Sequence, residues 1–64
     1  MVRFLERQGF AVIRVRGSHH FLDDGRHRTC VPVHGSEPLK IGTLGSILRD
    51  VAISPDEFRS RWNA

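Results

Sequence analysis

The stretch Arg14-Val15-Arg16-Gly17-Ser18-His19-His20-Phe21 decides the fold, because Gly17-Ser18 separates two short runs of strand-forming residues. A glycine at the first central position supplies the positive φ that a type II′ hairpin turn requires. Residues directly opposite each other in an antiparallel pair share a face of the sheet. Counting outward from the turn predicts four cross-strand pairs: Arg16 with His19, Val15 with His20, Arg14 with Phe21, and Ile13 with Leu22.

The two faces of this predicted hairpin differ in chemistry. One face is mainly apolar and is predicted to join the core: Ile13, Val15, His20 and Leu22. The other face is basic and is predicted to be a working surface: Arg14, Arg16, His19 and Phe21. The hairpin therefore has one side for packing and one side for a ligand.

Length and composition narrow the function classes. The chain has 64 residues, which predicts one domain over residues 1–64 with a modest core. Ten Lys and Arg against seven Asp and Glu give a net charge of +3, and nine of the ten basic residues are Arg. Arginine suits phosphate because its planar fork donates two parallel hydrogen bonds, so the balance favours a polyanionic partner.

The apolar segments and the cysteine content of the sequence predict the compartment of the protein and the state of its cysteine. No apolar run approaches the roughly 18 residues of a transmembrane helix, and Glu6 stands where a signal peptide needs an apolar region. These features predict a cytoplasmic protein with no membrane partner. Cys30 is the one cysteine, which excludes an intrachain disulfide and predicts burial as a small hydrophobe.

The segments on either side of the turn predict a three-stranded sheet. A short helix is expected over residues 2–8, with strands over 10–16, 19–23 and 28–33. Asp24-Gly25 signals the second hairpin, whose loop has two or four residues. Either length places Thr29, Val31 and Val33 on the apolar face, and Arg28 and Cys30 on the basic face. Pro32 cannot donate a hydrogen bond, which predicts that this third strand is an edge there or frays toward His34 and Gly35.

Two helices are predicted after the sheet. Thr43 can cap a helix whose apolar stripe has the spacing i, i+3, i+4 and i+7: Leu44, Ile47, Leu48 and Val51. Residues 54–57 form a capping box that opens a last helix, in which Phe58 and Trp62 are predicted to join the core. We therefore predict an α+β fold, in the order α-β-β-β-α plus a short C-terminal helix. Helices cover one face of a three-stranded antiparallel sheet.

Several segments in order and spacing resemble the HicA toxin family: residues 17–21, 31–34, 39–44, 47–49, 53–54 and 57–58. The resemblance covers nearly the whole chain, although the N-terminus is several residues shorter than in a typical member. It implies a fold like the double-stranded RNA-binding domain. It also implies an endoribonuclease that cleaves mRNA without a metal or other cofactor, as the toxin of a type II toxin–antitoxin pair. The implied partner is a HicB-type antitoxin in a hetero-oligomer, and the implied catalytic residue is His19.

The residues support a role for His19 independently. A free imidazole titrates near neutral pH, so it can act as a general base on the 2′-hydroxyl of RNA, or as the acid. Arg16 and Arg14 would then stabilise charge on the phosphoryl oxygens. Water, His34 or another residue would protonate the leaving group. The alternative is that His19 is an exposed histidine without a function.

Six residues are predicted to bind RNA: Arg14, Arg16, Ser18, Phe21, Arg28 and Lys40. An exposed aromatic beside arginine can stack on an unpaired base, and Lys40 precedes a helix N-terminus that attracts anions. The same charges can also serve solubility alone. Adjacent His19 and His20 point to opposite faces and match no strong zinc spacing, so no metal site is predicted. Two other functions remain open, a non-catalytic RNA-binding module and an inactive toxin homologue retained as an antitoxin partner.

Overall fold

The computed structural model describes residues 1–35 and 39–62. Its helices and strands follow the predicted order: α1 (Val2–Arg7), β1 (Ala11–Arg16), β2 (His19–Asp23), β3 (Arg28–Pro32), α2 (Ile41–Asp50) and α3 (Pro55–Trp62). The strands form one antiparallel sheet in the order β1-β2-β3. The predicted α+β architecture is therefore confirmed. The sequence predicts a loop over residues 36–40 before α2, and residues 36–38 of that loop lie outside the described residues.

The core lies between one face of the sheet and the helices. Its buried apolar side chains come from α1, from the residue before β1, from β2 and β3, and from the C-terminal half of α2 with the segment after it: Phe4, Leu5, Phe10, Leu22, Val31, Ile47, Leu48, Val51 and Ile53. Thr29 is the buried polar member, and its hydroxyl donates to Asp50 Oδ2 at 3.0 Å. This bond satisfies a buried hydroxyl and fixes the end of α2 against the start of β3.

The first hairpin has the predicted turn. Gly17 has a φ of 60°, and Ser18 does not have a positive φ, which fits a type II′ turn. The three pairs nearest the turn are as predicted: Arg16 with His19, Val15 with His20, and Arg14 with Phe21. The fourth prediction is wrong, because Leu22 lies opposite Val12 and the register shifts between Val12 and Arg14.

Ile13 is the extra residue of this β-bulge, and the bulge changes which side chains of β1 reach the core. Val12 packs against the core in place of Ile13, whose side chain is 53% exposed. Val15 lies on the same face as His20 but is 56% exposed, since β1 is an edge strand that the helices do not cover there. The prediction that Ile13 and Val15 belong to the core is therefore wrong.

The second hairpin confirms the predicted alternation on β3. A four-residue loop over 24–27 pairs Leu22 with Thr29 and His20 with Val31, all on the inward face. Val33 also follows this face but is largely exposed beyond the strand.

Pro32 lies on the outer edge of the sheet. In a two-residue hairpin the flanking pair, Arg16 and His19, exchange backbone hydrogen bonds, and bonding then alternates along each strand. His20 therefore bonds across to Val31, and the next bond on that side joins Val33 N–H to Ser18 C=O at 2.6 Å. The nitrogen of Pro32 consequently points away from β2, where no donor is needed. The predicted edge position of Pro32 is confirmed.

The two C-terminal helices begin with different caps, and only the cap of α3 is the one that the sequence predicts. α2 begins at Ile41 with Lys40 as its N-cap, and Leu44 N–H donates to Lys40 C=O at 2.9 Å. The predicted cap at Thr43 is wrong, because Thr43 already lies in the first turn. α3 begins with the predicted capping box, in which Ser54 and Glu57 exchange two hydrogen bonds of 3.1 Å.

Aromatic side chains attach α3 to α1. Phe58 packs edge-on against Phe4 with ring centroids 5.1 Å apart, and Trp62 lies 5.5 Å from the same ring. Phe58 borders the core as predicted, but Trp62 is 44% exposed and only flanks it. In the described part of the chain, none of the helices is long and apolar enough to cross a membrane.

Candidate nucleic-acid interface

Among residues 1–35 and 39–62, no helix covers the face of the sheet opposite the core, and we call this face the open face. Cross-strand pairing arranges its side chains in three rows: Arg16, His19 and Pro32; Arg14, Phe21 and Cys30; and Asp23 with Arg28. Neighbouring rows are two residues apart along β2, which is about 7 Å for a strand that rises about 3.3 Å per residue. The predicted separation of basic and apolar faces is therefore confirmed for the residues nearest the turn.

His19 stands in the first row, beside the turn. Its side chain is exposed, and Arg16 lies directly opposite on β1. Among the described residues, neither side chain has a hydrogen bond or an ion pair. A titratable ring and a guanidinium group therefore lie side by side with their polar atoms available to a ligand.

The second row adds an aromatic surface to this pair. Phe21 is half-buried between Arg14 on β1 and Cys30 on β3. Arg14 has no ion pair among the described residues, as is true of Arg16. Cys30 lies on this face as the alternation predicts, and its predicted burial is only partial, since the side chain is half-buried. An aromatic ring next to an unpaired guanidinium is the combination that stacks on nucleobases.

Two members of these rows were absent from the predicted site. Pro32 lies opposite His19, and Cys30 lies opposite Phe21. The signal was present in the sequence, because the alternation that puts Val31 in the core necessarily puts both neighbours on the open face. Pro32 and Cys30 are the β3 members of the first and second rows, and neither is a basic residue.

Arg28 is placed differently from the other predicted arginines. It lies opposite Asp23, four residues along β2 from His19, which is about 13 Å at about 3.3 Å per residue. Its Nε donates to Asp23 Oδ2 at 2.9 Å. The structure thus does not bring Arg28 to His19, and it ties the guanidinium to a carboxylate.

The loop over residues 24–27, which joins β2 to β3, is held by the carboxylates of Asp23 and Asp24. Asp23 Oδ1 accepts the N–H of Gly25 at 2.5 Å, and Asp24 Oδ1 accepts those of His27 and Arg26 at 2.6 and 2.8 Å. The backbone N–H of Gly25 lowers the pKa of Asp23, with a further contribution from Arg28. The N–H of His27, followed by that of Arg26, lowers the pKa of Asp24. This end of the sheet is therefore internally bonded.

His20 lies on the core side of the sheet, as the alternation predicted. It is half-buried, and its Nδ1 is buried without a hydrogen-bond partner among the described residues. The sequence favours a hydrogen-bonded histidine over a second catalyst at this position, and no such bond is present at Nδ1 within the described chain. Its ring does not share a face with His19, so the two cannot act on one atom.

Comparison with protein-family models places the chain in a known group. The family described as the HicA toxin of bacterial toxin–antitoxin systems matches residues 1–53. The chain belongs to the HicA toxin family. No curated protein and no solved structure matched it. Membership implies an antitoxin as partner, and the match spans α1, the whole sheet and α2 of this HicA toxin.

The remaining predicted residues of this HicA toxin lie in three different parts of the fold. Ser18 is half-buried in the turn, and its C=O accepts the bond from Val33. Lys40 is exposed at the start of α2, in the helix layer and not on the open face. His34 is exposed after β3, where it lines a groove of about 1290 Å³ together with Val33 and residues of the helices. Among residues 1–35 and 39–62, no three His, Cys, Asp or Glu side chains are grouped as metal ligands.

Proposed function

We propose that this HicA toxin is an endoribonuclease that cleaves mRNA without a metal ion and so blocks translation, and that its partner is a HicB-type antitoxin. The observation that carries this proposal is the first row of the open face. There His19 is exposed directly opposite Arg16, and neither side chain has a partner in the described chain. A proton acceptor beside a cation is what cleavage of RNA by its own 2′-hydroxyl requires.

The proposed chemistry begins with His19 as general base. The imidazole takes the proton of a 2′-hydroxyl, and that oxygen attacks the adjacent phosphorus. The bond from phosphorus to the 5′ oxygen of the next nucleotide breaks, leaving a 2′,3′-cyclic phosphate and a 5′-hydroxyl. Arg16 stabilises the charge that develops on the non-bridging oxygens, because its cation is already in place beside the base.

The second row would hold the substrate. Arg14 contacts a neighbouring phosphate, and Phe21 stacks on an unpaired base, which favours single-stranded RNA over a duplex whose bases are already stacked. Ser18 in the turn, Arg28 in the third row and Lys40 at the start of α2 lie farther from this surface and would contribute phosphate contacts of lesser weight. The leaving oxygen takes its proton from solvent, since the open face does not exclude water.

The proposal is tested by comparing the parent protein with His19→Ala and His27→Ala. His27 is the matched control, because it lies in the loop at the other end of β2 and is 39% exposed at its side chain. We expect His19→Ala to lower the rate of mRNA cleavage in vitro by about 10²- to 10⁴-fold, the usual contribution of a general base. Growth arrest on induced expression should be lost with it. His27→Ala should cut as the parent does, and EDTA should change neither rate.

Each contrary result points to a specific alternative. Cleavage by His19→Ala at the parent rate, with the circular dichroism spectrum unchanged, would remove His19 from the mechanism. If parent and variant bind RNA equally and neither cuts it, the chain is an RNA-binding module. If the parent neither binds nor cuts RNA but binds its antitoxin, it is an inactive toxin retained as a partner.

A further inference from the structure

The outer edge of β1 has the features of a strand-docking surface. β1 is the first strand in the order β1-β2-β3, so its outer side has no neighbouring strand in the described chain. Arg16 and His19 exchange backbone hydrogen bonds next to the turn, and the direction of bonding alternates from residue to residue along β1. The N–H and C=O of Val15 therefore point away from β2. An unpaired strand edge of this kind is a template for an added strand.

The side chains on this edge are unusual for a solvated surface. Ile13 and Val15 are 53% and 56% exposed, although both are β-branched residues that favour burial in a sheet. Arg14 and Arg16 alternate with them on the open face and have no ion pairs in the described chain. β1 contains no acidic residue. The edge thus presents cation, apolar and cation in turn along Arg14, Val15 and Arg16.

We infer that this edge docks an extended segment of the antitoxin, which pairs with β1 and carries the pattern acidic, apolar, acidic opposite Arg14, Val15 and Arg16. Paired residues share a face, so the two carboxylates would lie on the open face beside the arginines. The apolar residue would cover Val15 on the opposite side. This pattern reads the same in both directions, so it suits a parallel or an antiparallel strand.

A second copy of this chain fits the same edge poorly. Antiparallel pairing of two β1 strands about Val15 places Arg14 opposite Arg16. A shift by two residues places Arg14 opposite Arg14, or Arg16 opposite Arg16. Like charges directly opposite each other destabilise a sheet, so each register is penalised. The charge of β1 therefore selects an acidic partner strand over a copy of itself.

Docking at this edge would also silence the proposed site. Adjacent strands lie about 4.8 Å apart, so the added carboxylates reach the arginines that we assign to phosphate. The antitoxin would compete with RNA for Arg14 and Arg16 without touching His19. This consequence rests on the proposed ribonuclease function, whereas the docking itself does not.

The test measures the affinity of the HicB-type antitoxin for the parent, for two Val15 variants and for a control. Val15→Glu opposes the acidic strand, and Val15→Pro removes an N–H that points outward and has no partner in the described chain. Ile41→Glu is the control, because it makes the same charge change on a β-branched side chain that is 90% exposed on α2. We expect both Val15 variants to bind at least about tenfold more weakly, because one places a carboxylate against an acidic strand and the other removes a backbone hydrogen bond to the added strand. Ile41→Glu should bind as the parent does.

Two results would overturn the inference. One is parent-like affinity of both Val15 variants, with circular dichroism showing that they fold. The other is a dimer of the free toxin, measured by light scattering, that Val15→Pro converts to a monomer, which would assign the edge to a second copy. Binding is measured without RNA. A parent that fails to cleave RNA would therefore count against the proposed function and leave the docking result intact.

Discussion

The two ends of β2 carry similar residues in opposite bonding states. At one end, beside Gly17, His19 and Arg16 have no partners in the described chain. At the other end, Arg28 is bonded to Asp23, and His27 Nδ1 lies 3.6 Å from Asp24 Oδ2. The difference is the presence of two aspartates at the second turn, where the first has only Gly and Ser.

This contrast separates charges that build the fold from charges that are left for a ligand. Asp23 pairs with Arg28, and Asp23 and Asp24 both accept backbone N–H groups, so the second turn needs no external partner. The first turn leaves two arginines and a histidine on one open surface. A polyanion would therefore concentrate at the Gly17 end, although both ends have basic residues.

The largest expected effect is on RNA cleavage, when the arginine at each end of β2 is replaced separately by alanine. We expect Arg16→Ala to lower the rate of RNA cleavage by about 100-fold, the lower range for losing one group that stabilises a developing oxyanion. Arg28→Ala should change that rate by less than about threefold, because its guanidinium is bonded to Asp23 and lies about 13 Å from His19 by strand spacing. Single-turnover cleavage at saturating protein distinguishes the two. Equal losses would show that the distant arginine also acts on the reacting phosphate.

A medium effect is expected from the two turn glycines. Gly17 and Gly25 have φ values of 60° and 93°, and an added Cβ would meet no atom within 4 Å at either position. Gly17→Ala and Gly25→Ala should each lower the free energy of unfolding by about 1 kcal/mol, from backbone strain alone. Urea unfolding measures this cost.

Cleavage then separates the two glycine variants. Gly17→Ala should also slow RNA cleavage, because Gly17 sets the spacing of Arg16 and His19 across the turn. Gly25→Ala should leave cleavage unchanged. A parent-like rate for Gly17→Ala, at the expected loss of stability, would mean that the turn geometry does not position the proposed site.

The smallest effect is expected at acid pH. The pKa of Asp24 in the folded protein lies below its ordinary value of 3.8 because it accepts the N–H groups of His27 and Arg26. A lowered pKa stabilises the fold above pH 3.8, and this contribution disappears as the pH falls through the folded value. Asp24→Asn should therefore flatten the acid limb of stability against pH, as measured by the urea midpoint. An acid limb identical to that of the parent would place the acid sensitivity at Asp23 or Glu57, whose pKa values are lowered as well.

Much of the fold was predictable because local rules and the tertiary structure agree. Gly17 marks the turn, and Ser54 with Glu57 marks the start of α3 through bonds that lie within four residues. Strand alternation correctly divided β2 and β3 into a core face and an open face. Pro32 also identified an edge, since a missing donor is tolerated only where no neighbour needs it.

The parts that were wrong depend on contacts that a periodic pattern does not contain. A period of two assumes one residue per step, so it cannot reveal the extra residue at Ile13. The apolar stripe of α2 determines its buried face and not its first residue, which is why the cap lies at Lys40 and not at Thr43. The bonding of Arg28 to Asp23 also requires the second hairpin to be closed, and that pairing separates it from the arginines near His19.

Pro32 also has a consequence for how the protein assembles. A sheet with two receptive edges can add copies at both sides and grow into a filament, as edge-to-edge aggregation does. Here a strand approaching β3 meets a proline ring and a missing N–H, so growth is possible beyond β1 only. The two edges of the sheet therefore differ, and a further strand cannot add equally well at both sides. This asymmetry opposes open-ended edge-to-edge growth of the free protein.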